Sequence, residues 1–101
     1  MKLRWSQTAR IELDNIFVYL KSHSPSAAKS VAIRIIQRAR LLTSFPFSGH
    51  PTVTPGVRRV SIVSYPYVVL YMIDHVNDEV IIPNVRHTAR KKPAADDPRA
   101  G

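Results

Sequence analysis

The 101-residue sequence has no cysteine, which excludes disulfides, zinc thiolates and cysteine nucleophiles. It has no run of about 20 consecutive apolar residues, the length a membrane span requires. Its opening, MKLRWSQTARIELD, lacks the apolar stretch of a signal peptide. A cytoplasmic protein without a membrane partner is therefore expected. GxSxG, the P-loop, GxGxxG and HExxH are also missing, so the common hydrolase, nucleotide-binding and zinc-protease classes find no support. His23, His50 and His75 are scattered over separate predicted loops without the close spacing of metal ligands. Neither a metal nor a cofactor is expected.

Acidic residues are scarce in a particular place. The chain carries 15 Lys and Arg against 7 Asp and Glu, a formal net charge of +8. No carboxylate occurs from residue 15 to residue 73, while Lys21, Lys29, Arg34, Arg38, Arg40, Arg58 and Arg59 all lie there. No paired-carboxylate catalyst can be built within that span. A second acid-free run, Val80 to Lys92, carries Arg86, Arg90, Lys91 and Lys92, and Asp74, Asp78 and Glu79 separate the two. Unscreened positive charge of this kind suits an anionic partner, nucleic acid or an acidic protein segment, or else a merely soluble surface.

What is present predicts one small domain over residues 1–90 and a mobile tail over 91–101. With 45% hydrophobic and 22% charged residues the chain has the composition of a folded domain, and its length allows a single core. Leu3 and Trp5 alternate with Lys2 and Arg4, a short strand. Leu13, Ile16, Phe17 and Leu20 share one helical face behind a cap at Ser6 or Thr8. Ser24-Pro25 supplies an N-cap and first-turn proline for a second helix, whose apolar face is Ala28, Val31, Ala32, Ile35, Ala39 and Leu42. Phe45-Pro46 ends it, and the proline- and glycine-rich run from Phe45 to Gly56 reads as a loop without a regular element.

Val57–Val63 and Tyr67–Asp74 are rich in β-branched and aromatic residues and read as a hairpin; Glu79–Arg86 forms a last strand in which Pro83 must lie where its missing N–H is harmless. YVVLYMID is almost wholly apolar, so it belongs mid-sheet, with helices on one face and either more of the chain or a partner on the other. The order β-α-α-β-β-β is that of an α+β domain, a helical hairpin packed on a small, mostly antiparallel sheet.

The candidate site residues are basic. Arg58 and Arg59 are adjacent on a strand and point to opposite faces of the sheet. Arg86, His87 and Arg90 at the end of the last strand could hold phosphate or carboxylate groups. His87 can serve as a general acid or base or as a structural hydrogen-bonding group. Tyr65, Tyr67 and Tyr71 suit core packing or, if exposed, stacking on bases.

Read in order, RWSQTARIELDNIFVYL, SPSAAKSVAIRII, LLTSFPFSGHP, PGVRRV, YPYVVLYMI and VIIPNVRHTAR resemble the ParE-type toxins of the RelE/ParE superfamily, the toxic halves of type II toxin–antitoxin pairs, over about residues 4 to 90. The resemblance implies the same helical hairpin on a sheet. It also implies a ParD-like antitoxin whose acidic, amphipathic segment wraps the toxin and whose DNA-binding dimer carries the pair to its operator. ParE-like members inhibit DNA gyrase, whereas RelE-like members cut mRNA on the ribosome. Ribosome-dependent cutters use basic residues with a late tyrosine, or a glutamate with a histidine-tyrosine pair; here Thr88 follows His87 and no tyrosine follows Tyr71. Arg58, Arg59, Arg86, His87 and Arg90 are accordingly expected to contact target or antitoxin, and His87 becomes catalytic only under the nuclease alternative. A non-toxic remnant that only binds its antitoxin is the third reading. His50 stands where the family has arginine in its GRP turn, and Arg59 where an acidic residue often follows the first arginine.

Overall fold

The computed structural model describes residues 1–89, so Arg90 and the tail expected to be mobile lie outside the described residues. Strand β1 (Lys2–Trp5) turns Leu3 and Trp5 to the core and Lys2 and Arg4 outward. Ser6 then redirects the chain: its Oγ accepts from the Ala9 N–H at 2.9 Å to cap helix α1 (Gln7–Lys21), and donates to the Pro83 carbonyl at 3.0 Å. Ser24 caps helix α2 (Pro25–Leu41) in the same way, with Pro25 in its first turn. The two helices form the expected hairpin, and Ala28, Val31, Ile35 and Ala39 are the buried stripe of α2. Their small side chains at 28 and 39 let the helix lie close to its neighbours.

Past α2 the structure contains one element more than the periodicity predicts. His50 and Pro51 form a two-residue strand β2 at the sheet edge, inside the run that reads as loop. Proline is tolerated there because an edge strand has one side free of ladder bonds. Strand β3 (Arg58–Ser61) is shorter than the expected Val57–Val63, since Ser64 takes a left-handed backbone (φ 72°) and the chain turns early. Strands β4 (Tyr67–Asp74) and β5 (Glu79–His87) complete a five-stranded sheet of order β1-β5-β4-β3-β2, antiparallel except where β1 runs parallel to β5.

As its apolar sequence requires, β4 is the central strand. Tyr67, Val69 and Tyr71 join Val60, Val80, Ile82 and Val85 in one core with Ala9, Val31, Ile35, Ala39 and Leu42 from the helices and the residue that follows α2. Along β5 the alternation is broken once. Leu70 pairs with Asn84 and Met72 with Ile81, so Tyr71 faces both Ile82 and Pro83. This bulge accommodates Pro83, which has no N–H for the ladder. It also shifts the parity of β5, so that Val80 and Ile82 before it and Val85 after it all turn to the core.

Candidate functional site

The helices cover one face of the sheet and leave the other open. On that open face the register aligns His50, Arg59, Leu70 and Asn84 in one row across β2 to β5, and Ser61, Val68 and Arg86 in the next. Met72 pairs with Ile81 further along. Val68, Leu70, Met72 and Ile81 thus form an apolar strip outside the core under the helices, with Val68 already buried and Leu70, Met72 and Ile81 half-buried. Arg59 and Arg86 flank the strip. Among the described residues neither guanidinium has a hydrogen-bond or ion-pair partner, and the one ion pair present, Arg4 with Glu79 at 3.5 Å, lies at the far end of the face. Two guanidiniums beside apolar side chains can take an acidic, amphipathic segment, the carboxylates on the forks and the apolar residues on the strip.

Arg58 and Arg59 do point to opposite faces, and their roles divide accordingly. Arg58 pairs with Tyr71 on the helix side. There its Nη2 donates to the carbonyls of Gly49 (2.8 Å) and Phe47 (3.3 Å), its Nε donates to the Tyr71 hydroxyl (3.4 Å), and its guanidinium lies over the Phe47 ring at 5.2 Å. The Tyr71 hydroxyl is the centre of this arrangement, donating to the Pro46 carbonyl at 2.7 Å and accepting from the Gly49 N–H at 3.0 Å. Gly49 is required at its position. A Cβ there would stand 2.4 Å from the Arg59 carbonyl oxygen and 2.7 Å from the Tyr71 hydroxyl. Arg58 therefore clamps the loop that delivers β2, and with it His50, to the open face.

His87 follows Val85 by two residues and shares its side of the sheet, away from Arg59 and Arg86. Its ring meets the edge of Tyr67 at 5.1 Å, and its Nδ1 accepts from the Ala89 N–H at 3.0 Å, which leaves the ring proton on Nε2. The structure thus brings Arg59 and Arg86 together and holds Arg58 and His87 on the other side. Two placements had no signal in the sequence. His50 reaches the open face only through the two-residue strand, and Glu12 acts across 73 residues, its Oε1 accepting from the Val85 N–H at 2.9 Å. Tyr67 and Tyr71 are buried, in line with core packing, and Tyr65 is half-buried.

No helix among the described residues is long and apolar enough to cross a membrane, and those residues contain no cluster of His, Asp and Glu able to hold a metal ion. The fold matches that of two solved systems. The chromosomal ParDE toxin–antitoxin system of P. aeruginosa gives a TM-score of 0.76 at 22% identity, covering 86% of this chain and 95% of that one. The RelBE2 toxin–antitoxin complex of Mycobacterium tuberculosis gives 0.61 at 24% identity, covering 85% and 95%. At those identities the likeness is one of fold. The curated protein "Putative toxin Y4kP" of Sinorhizobium fredii is 30% identical over 92 residues, 91% of this chain and 93% of that protein. A family model, described as the ParE toxin of the type II toxin–antitoxin system parDE, matches residues 3–92. With the helical hairpin, the five-stranded sheet and nearly the whole chain inside that match, the protein belongs to the ParE toxin family of type II toxin–antitoxin systems.

Proposed function

We propose that the chain is a cytoplasmic, ParE-like inhibitor of DNA gyrase that acts by protein contact, and that a ParD-like antitoxin silences it by laying an acidic, apolar segment on the open face of the sheet. The observation that carries this reading is the pairing of two free guanidiniums, Arg59 and Arg86, with the apolar strip Val68, Leu70, Met72 and Ile81. Such a face gains from desolvating the strip and from charge-assisted bonds at its rim, the combination by which protein segments dock. RNA cleavage would need one group to take the 2′-OH proton and another to return a proton to the leaving oxygen. His87 lies on the other side of the sheet from Arg59 and Arg86. Operator DNA is reached through the antitoxin and not by this face.

The test is a paired assay on the purified chain: gyrase supercoiling and DNA cleavage on plasmid, beside primer extension on mRNA in a translating extract. Gyrase inhibition that added antitoxin relieves, and that fails in Arg59→Glu/Arg86→Glu, is the expected result. Codon-phased mRNA cuts lost in His50→Ala or His87→Ala would make the chain a ribosome-dependent nuclease. Silence in both assays with antitoxin binding intact would make it a remnant.

A further inference from the structure

The flank of α2 and the loop that follows it carry a second cationic surface, separate from the open face. Arg34 lies over the half-buried ring of Tyr65 at 6.0 Å. One turn on, the Arg38 Nη2 donates to the Ser48 hydroxyl at 3.1 Å. Ser48 is flanked by Phe47 and Gly49, whose carbonyls receive Arg58, and the Arg58 guanidinium lies over the Phe47 ring. His75 stacks beside Phe47 at 6.3 Å, with 22° between the planes. The contacts run from Tyr65 to Arg34, one helical turn on to Arg38 and Ser48, and from the neighbouring Phe47 to Arg58 and His75, so three guanidiniums and three aromatic side chains lie along one surface.

Every partner on this ridge is neutral. Among the described residues no carboxylate forms an ion pair with Arg34, Arg38 or Arg58. Asp74, the acid beside His75, is occupied by the N–H groups of Val76 and Asn77 and by the Asn77 side chain. Each guanidinium is held in place by a ring, hydroxyl or carbonyl while its full charge remains available. Phe47 stays 63% exposed, and Phe45 at the start of the same loop 61%. Charge spaced among exposed rings is the chemistry that takes an unpaired nucleic-acid strand, phosphates on the guanidiniums and bases against the rings. A protein partner with a wholly polar acidic surface would use the charge but not the rings. A duplex, with its bases stacked inside, would not use the rings either.

We infer that the ridge formed by Tyr65, Arg34, Arg38, Phe47, Arg58 and His75 binds single-stranded nucleic acid through phosphate and base faces, without distinguishing DNA from RNA. Guanidiniums address phosphate and rings address base faces, features that DNA and RNA share.

The experiment is fluorescence anisotropy on the full chain with labelled oligo-dT and oligo-U of about 15 nucleotides and with a duplex of the same length, between about 50 and 200 mM salt. Both single strands are expected to bind within about threefold of each other and more tightly than the duplex. Arg34→Ala/Arg38→Ala should weaken single-strand binding about tenfold and reduce the salt slope by about 1.4, two contacts at 0.7 each. Phe47→Leu should weaken binding with the slope unchanged. Lys29→Ala/Arg40→Ala removes the same charge from the opposite flank of α2 and should cost less than threefold. No binding at the lowest salt, tighter binding of duplex, or equal losses in the two double variants would overturn the inference. Circular dichroism melts of each variant separate lost contact from lost fold. The outcome is independent of gyrase inhibition, because Arg59 and Arg86 are untouched.

Discussion

The backbone of Gly49 lies directly against the side chain of Tyr71, its N–H donating to the phenol oxygen at 3.0 Å where an added Cβ would come within 2.7 Å of that same atom. The buried tyrosine and the glycine thus define each other's positions, and through them the loop that ends in β2. Tyr71→Phe removes the acceptor for Gly49 and Arg58 and the donor for Pro46. A loss of about 1–3 kcal/mol is expected, or roughly 4–8 °C in Tm per kcal/mol for a domain of this size. Gly49→Ala should lower the Tm further, because the obstacle at 2.4 Å is backbone. Gly56→Ala should be milder, because it meets only a positive φ of 80° with open space around it. Thermal melts of the three variants check the order.

Glu12 supplies what a longer β1 would have supplied. β1 stops pairing with β5 at Ile82, and the Val85 N–H beyond it donates to the Glu12 carboxylate, which also accepts from the Asn84 amide at 3.3 Å. Glu12→Ala leaves that N–H without its partner and should cost about 1–3 kcal/mol. Glu12→Gln keeps an acceptor oxygen and should cost less. Amide hydrogen exchange at Val85 should accelerate in the alanine variant and stay near wild type in the glutamine variant.

Arg58 and Arg59 are neighbours with separable effects. Arg59→Ala/Arg86→Ala should abolish growth inhibition and weaken antitoxin binding by more than tenfold while leaving the Tm unchanged, because neither side chain has a partner among the described residues. Arg58→Ala should lower the Tm by releasing the Phe47 and Gly49 carbonyls. Isothermal titration with antitoxin, set beside melting curves, distinguishes the two. A variant pair at 59 and 86 that melts early would refute the division of roles.

Asp74 makes the β4–β5 turn acid-sensitive. Hydrogen bonds from the Asn77 side chain and backbone, and from the Val76 N–H, hold its carboxyl below the ordinary 3.8. The unfolded chain takes up the proton more readily than the folded one, so the contribution is complete above about pH 4 and is lost as the pH falls through the folded value. Wild type and Asp74→Asn should therefore differ in Tm at neutral pH and converge in acid. A gap that stays constant across a pH series of melts would refute the assignment.

The helical hairpin was legible because its signals are local: Ser24-Pro25 opens α2 and the apolar residues recur within single turns, although the helix ends at Leu41 with its cap at Leu42, ahead of the expected stop at Phe45-Pro46. The central place of β4 was legible from its lack of polar residues. That Arg58 and Arg59 oppose each other follows from the two-residue period of a strand, but which of them meets solvent depends on where the helices pack, and that is a tertiary choice. β2 escaped because two residues have no period and one of them is proline. The Tyr71 centre and the Glu12 contact escaped because their partners lie 13 to 73 residues away, where no pattern along the chain connects them. Pro83 announced an irregularity, but only the register shows that the bulge there keeps Val85 in the core.

The parallel pairing of β1 with β5 places the earliest of the five described strands beside the latest, Lys2 against Glu79. While the chain is being made, at roughly 5–20 residues per second, β1 waits about 4 s or more with one edge and one apolar row unmatched. The strand that ends this wait also carries Arg86, so the open face and the closed sheet are completed together.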